Sequence, residues 1–243
     1  MIKPVIFLIL IFATFSSVAQ FNDSVYYQFG FSSTGIINKT GDASSYILNN
    51  GIKFNVEKKK ISLSSAASWI YGEQQKSLTN NDFSIFGNVD LNKNVHPLYY
   101  WGLITYDKSY SLKINYRFQA GAGVGYTVFK NDKSNLVLSD GFLLEAGDLY
   151  RSDFGQDNYT ILRNSFRVKY RFNIKDIVIL EGTDFYQPSM SILKDYIVQA
   201  NNSLSIPLRK WLAITAAMTY NKVSRTGREN LMFTYGITIE KFF

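Results

Sequence analysis

Basic residues recur at every second position late in the chain. Arg163, Ser165, Arg167, Lys169 and Arg171 alternate with Leu162, Phe166, Val168, Tyr170 and Phe172. On an extended backbone successive side chains point to opposite faces, so this spacing puts the cations on one face and the apolar and aromatic side chains on the other. Arg117 holds the polar parity of its own alternating stretch. A low-dielectric wall of guanidinium and ammonium groups attracts anions, and the planar fork of Arg matches carboxylates and phosphates. The chemistry on offer is an anion path. The competing use is structural, because a cation removed from water requires a partner. Glu145, Glu181 and Glu240, with Asp90 and Asp107 on other segments, are the candidate counter-charges. Both uses remain open from sequence.

Other chemistries find less support. The chain has no cysteine and one histidine, His96, in the turn-like Lys93-Asn-Val-His-Pro97 with no serine close by. A Ser–His or Asp–His hydrolase needs its base beside a nucleophile, so no catalytic residue is assigned and no enzyme activity is expected. No metal site or cofactor is expected either. Asp148, Asp153 and Asp157 have the oxygen chemistry for weak calcium binding but read as solvated loop residues. The Gly121-x-Gly123-x-Gly125 run lies within an alternating segment with no helix after it, which argues against a phosphate cradle. The net charge of +7 would suit nucleic acid. The N-terminus argues against that reading: Met1-Ile-Lys3, an apolar run from Val5 to Phe15 and Ser17-Val-Ala19 form a secretory signal, expected to be removed after residue 19.

The elements that must position these residues are strands. Tyr116 to Gly147 reads as a hairpin: Tyr116, Phe118, Ala120, Ala122, Val124, Tyr126 and Val128 share one parity, and Lys130–Ser134 forms the polar turn. Its arms exceed the roughly 5–6 residues of a globular strand and are long enough to cross a bilayer at a tilt. About twelve such spans follow one another, near 24–36, 44–55, 61–71, 81–92, 98–109, 116–129, 134–148, 159–172, 177–187, 196–206, 211–223 and 229–243. The connections after every second span are short, and the others, such as Gly72–Asn80 and Pro188–Asp195, are longer. That predicts an all-β fold: a single transmembrane antiparallel β-barrel over residues 20–243, with short periplasmic turns, longer outer loops and both termini in the periplasm of a Gram-negative bacterium. The inward glycines at 121, 123 and 125 permit curvature or leave room for a bulky neighbour.

Aromatic residues fall into two expected girdles. Trp69, Tyr71, Tyr106, Tyr116, Tyr159, Tyr186, Tyr196 and Tyr220 are placed near the outer rim. Tyr27, Phe54, Tyr99, Trp101, Phe129, Phe172, Trp211 and Phe243 are placed near the periplasmic one. The last span, with Tyr235, Ile237, Ile239 and terminal Phe243 on one parity, looks like the signal read by the barrel-assembly machinery. Lys241 departs from it.

The segments Phe118-Gln-Ala-Gly-Ala-Gly-Val-Gly-Tyr126, Asp140-Gly141, Trp69-Ile-Tyr-Gly72 and Tyr99-Tyr-Trp-Gly102 resemble the YdiY-like salt-induced outer-membrane protein family, domain of unknown function 481, over about residues 45–243. That resemblance implies an outer-membrane barrel and no particular activity. The partners expected are outer-membrane lipids, the assembly machinery and small anionic solutes, with no nucleic acid. The function expected is a small solute channel whose basic lumen prefers anions. The alternatives are a closed structural or stress-related barrel acting through its outer loops and, third, a surface hydrolase.

Overall fold

A computed structural model describes residues 26–40, 43–151, 153, 155–209 and 211–242. The expected signal segment 1–19 with its cleavage site, and Phe243, lie outside the described residues. The chain forms β1 (Tyr27–Thr40), β2 (Ala43–Glu57), β3 (Ile61–Gln74), β4 (Ser77–Leu91), β5 (Leu98–Ser109), β6 (Ile114–Lys130), β7 (Ser134–Arg151), β8 (Gly155–Asn164), β9 (Phe166–Ile174), β10 (Val178–Pro188), β11 (Tyr196–Arg209), β12 (Leu212–Val223) and β13 (Arg228–Phe242), with a 3-10 turn η1 (Ser224–Thr226) before the last. All pairings are antiparallel; each strand pairs with its sequence neighbour except β8 and β9, which both pair with β7, and β13 returns to β1.

β8 and β9 are one wall. Both pair with β7 in a single register, from Arg151↔Gly155 through Phe142↔Asn164 to Ser139↔Arg167 and Ser134↔Phe172. The interruption at Ser165 has a local cause on the other side. Met190 donates to the carbonyl of Leu162 at 2.9 Å, and Arg163 bridges Ser189. Hydrogen-bonded pairs recur every second residue, so Pro188, which has no N–H, falls where a donor is needed opposite Asn164. The result is a nearly closed barrel of twelve walls, the number expected from the sequence.

Closure follows from the outer face. Ile104, Phe118, Leu144, Leu162, Ile214 and Phe233 all project outward and are exposed. A sheet with such a face must sit in lipid, where unpaired backbone groups find no water, so its edges must meet. They meet over a short seam, Gln28↔Phe242 to Phe31↔Ile239, whereas β1 and β2 pair from Tyr27↔Val56 to Thr40↔Ala43.

The longer distal loops expected from the sequence are partly strand. (The proximal end is where β1 begins and β13 ends; the distal end lies opposite.) Gly72–Asn80 zips into a hairpin with Gln75 and Lys76 at its tip, both at positive φ (50° and 63°), as a two-residue hairpin turn demands. Asn38–Ala43 likewise continues as ladder to Thr40↔Ala43. The longest distal connection lies between Pro188 and Tyr196, but the proximal turn from Leu91 to Leu98 is almost as long. Polar composition marks a hairpin tip and a loop alike.

Three residues assigned to the girdles turn inward instead. Tyr99 and Trp101 are buried in the lumen with Leu103, Val137 and Leu143, and Tyr159 packs inside against Leu112, Ile114, Leu149 and Val223. The glycines explain the first two. A methyl at Gly125 would stand 2.2 Å from the Tyr99 ring, and one at Gly123 or Gly141 within 2.6 Å of Trp101. Trp69, Tyr106, Tyr116 and Tyr186 remain exposed on the outer face, and Tyr27–Phe54 and Phe129–Phe172 ring pairs mark the proximal rim.

Candidate functional site in the lumen

The strand parities bring Arg117, Arg163, Arg167, Lys169 and Arg171 to the inner wall. What they meet differs with depth. In the distal half Arg163 is enclosed: it and Glu145 are both 0% exposed. Its Nη2 donates to Glu145 at 2.8 Å and to Asp195 at 2.9 Å. Glu145 also accepts from the Tyr159 hydroxyl at 2.7 Å and from Gln119, which reaches on to Gln187 at 3.1 Å. Arg117 on β6 grips Asp107 on β5 through Nε and Nη2, at 3.1 and 2.8 Å. Arg225, on η1, closes the set by donating to Asp157 at 2.6 Å and Asp195 at 2.8 Å while lying 4.2 Å from the Tyr159 ring centroid.

Above this network the distal mouth is capped. Leu112 of the β5–β6 turn, Ile114, Leu149 and Val223 pack together, and Asn230 reaches Ser111 at 3.5 Å across the opening. Asp195 lies at the end of the β10–β11 connection, so that segment is pinned to the cap by both arginines. Asp195, Arg225, Gln119 and Gln187 were not singled out in the sequence. The first two sit in connections, where no period of two assigns a face. The glutamines hold inward parity, which was the available signal.

At mid-height Arg167 donates to Ser139 at 2.8 Å and across the barrel to Asn88 at 2.9 Å, with Asp90 at 3.9 Å. Its guanidinium lies over Trp101 and Phe185. Arg117, Arg163 and Arg167 therefore hold walls together and do not face open lumen.

The proximal half is different. It encloses a cavity of about 1240 Å³ whose lining includes Lys53, Lys93, Lys130, Lys169, Arg171 and Glu181. Small polar residues of the β3 and β11–β12 walls, among them Ser64, Asn201 and Thr219, complete it. Arg171 pairs with Glu181 and Lys130 with Glu57, the latter at 3.9 Å. Lys93 donates to Asp90 at 2.8 Å. Burial opposes the Lys93 charge, but the Asp90 carboxylate outweighs it, so this turn ammonium titrates above its ordinary range. Lys169 has neither an ion pair nor a hydrogen bond among the described residues. It is exposed to the cavity and feels the charges of Lys93, Arg167, Asp90 and Glu57. Of the two expected anion-path residues that line the cavity, Arg171 is paired with Glu181 and Lys169 is the one left unpaired among the described residues.

Glu240 pairs with Gly30 in the β1–β13 seam. Tyr235 and Ile237 are exposed on the outer face; Ile239 pairs with Phe31, and Phe243 lies outside the described residues. His96 lines the cavity mouth. Asp148, Asp153 and Asp157 are each engaged by protein donors: Asn115 and Gln156, Arg151, and Arg225 respectively.

The fold is shared with solved outer-membrane barrels. The translocator domain of the autotransporter NalP from Neisseria meningitidis superposes with a TM-score of 0.51 at 11% identity, over 90% of this chain and 89% of that one. The NanC porin superposes with a TM-score of 0.53 at 9% identity, over 88% of this chain and 98% of that one. At such identities the likeness establishes the outer-membrane barrel fold alone. No curated protein matches the chain. A family model described as a protein of unknown function, DUF481, matches residues 33–239.

Proposed function

The chain belongs to the DUF481 family, and from its lumen we propose that it is an outer-membrane barrel admitting small anionic solutes through a narrow path that is restricted at the distal end. In this reading the termini are periplasmic, the role is transport and not catalysis, and the distal cap is the restriction that a solute must pass. The observation carrying it is the 1240 Å³ proximal cavity with Lys169 unpaired on its wall. A desolvated lumen with a free ammonium favours anions, whereas neutralised arginines contribute little to the field.

The test is conductance of the refolded mature protein in a planar bilayer under a salt gradient. Small, discrete, anion-preferring openings are expected, and Lys169→Glu should shift the reversal potential toward cations. A barrel that inserts and stays silent would overturn the channel reading. It would favour a closed barrel acting through its distal surface, for which the buried Arg163–Glu145–Asp195–Arg225 cap is the supporting observation.

A further inference from the structure

The distal end of the wall holds two cations, Lys108 and Lys113, around a cleft separate from the proximal cavity. Where β4, β5, β6 and β7 reach the distal rim there is a cleft of about 330 Å³ lined by Asn81, Lys108, Tyr110, Lys113, Asn115 and Tyr150. The Lys113 ammonium lies 4.9 Å from the Tyr110 ring centroid. Neither Lys108 nor Lys113 has a carboxylate partner among the described residues, in contrast to the arginines inside. Asn81 accepts from the Trp69 indole at 3.1 Å. The nearby Asp148 is buried and is held by Asn115 and Gln156.

The position of this cleft selects its occupant. On β5 the outward series runs Ile104, Tyr106, Lys108; on β6 Tyr116 and Phe118 point the same way, all exposed. The cleft thus begins where the apolar belt ends, at the depth where aromatic rings meet headgroups. Its lining residues Asn81, Lys108 and Tyr150 are exposed, while Ser109 and Ile114 form its buried floor. Two amines on flexible stems suit a phosphate, the tyrosine rings offer apolar faces with hydroxyl tips, and the volume lies within the range of small-ligand clefts. We propose that this cleft binds the phosphorylated headgroup of a membrane lipid, with its acyl chains lying along Ile104, Tyr106 and Phe118. The proposal needs the barrel to be in a membrane but is independent of the channel reading. If the termini are periplasmic, the lipid is the phosphorylated glycolipid of the outer leaflet.

The experiment is native mass spectrometry of the refolded mature protein in detergent micelles, with bisphosphorylated lipid A as probe and its dephosphorylated form as comparison. The wild type and a proximal-turn control, Lys58→Gln/Lys60→Gln, should retain one bisphosphorylated lipid. Lys108→Gln/Lys113→Gln should bind it about thirtyfold more weakly, the combined attraction of two interfacial amines. Heat-modifiable gel migration checks that the variant is folded, and Lys113→Gln alone, with a loss of about fivefold, replaces it otherwise. Equal retention by the double variant and the wild type would overturn the proposal, as would equal binding of the dephosphorylated lipid. Displacement of the lipid by excess inorganic phosphate would assign the cleft to the free ion and overturn it too. None of these results bears on conductance, so this proposal and the channel reading fail separately.

Discussion

Arg163 shows what the lumen asks of a single residue. Its charge is fully buried and balanced by two carboxylates at 2.8 and 2.9 Å. Removing one partner of a buried pair leaves the other uncompensated, at a cost of about 3–5 kcal/mol. Arg163→Met should therefore lower the urea midpoint of the refolded barrel markedly. Arg163→Met/Glu145→Met should recover most of the loss, since Asp195 keeps Arg225 at 2.8 Å and a well-packed apolar pair is often no worse than an ion pair. The inward parity of Arg163 and the candidacy of Glu145 were legible in the sequence, because alternation fixes a face. Asp195 and Arg225 were not, because a connection has no period. Nor could parity distinguish Arg163, consumed in the cap, from Lys169, left facing the cavity. That depends on which residues stand across the barrel.

The β6–β7 hairpin shows how an element carries that cross-barrel information. A methyl at Gly121 would stand 2.0 Å from the Phe142 carbonyl oxygen, and one at Gly123 2.2 Å from that of Asp140. Contact this close with backbone cannot be relieved by a side-chain rotation, so β6 and β7 approach only through these glycines. Gly121→Ala should abolish the compact, heat-modifiable form on gels. Gly102→Ala on β5 should leave it intact, because a methyl there meets nothing nearer than 4.0 Å. The sequence offered curvature or room for a large neighbour as uses of these glycines; the presence of Tyr99 and Trp101 above them selects the second. Hairpin tips were harder to read, since Gly72–Asn80 has the polar composition of a loop and only the left-handed backbone at Gln75 and Lys76 makes it a tight turn.

For the whole molecule the lumen is uneven: the inner faces of β4–β10 are tied together distally, and the proximal half is hollow. If η1 holds the cap through Arg225, then Arg225→Ala should raise open probability in the bilayer without altering ion preference, whereas Lys169→Glu should do the reverse. The strand count and transmembrane character were legible because every span alternates; the cap was not, because it is built from turns. The short β1–β13 seam has a further consequence, in time and not in space. Its four registered pairs join the first and last strands, while every other pairing joins strands adjacent or next-but-one in sequence. Loop closure costs more entropy the longer the loop, and few hydrogen bonds repay it here. The barrel should therefore fold as an open sheet, growing hairpin by hairpin, and become circular last. The chain has no cysteine of its own, so engineered pairs report this order cleanly. During refolding with timed oxidation, a disulfide in Ala122→Cys/Phe142→Cys should form early. One in Gly30→Cys/Glu240→Cys should appear only when the compact form does. Until that moment Phe233, Tyr235 and Ile237 sit on a free edge strand, which makes the interval before closure the period in which the chain is most prone to aggregate.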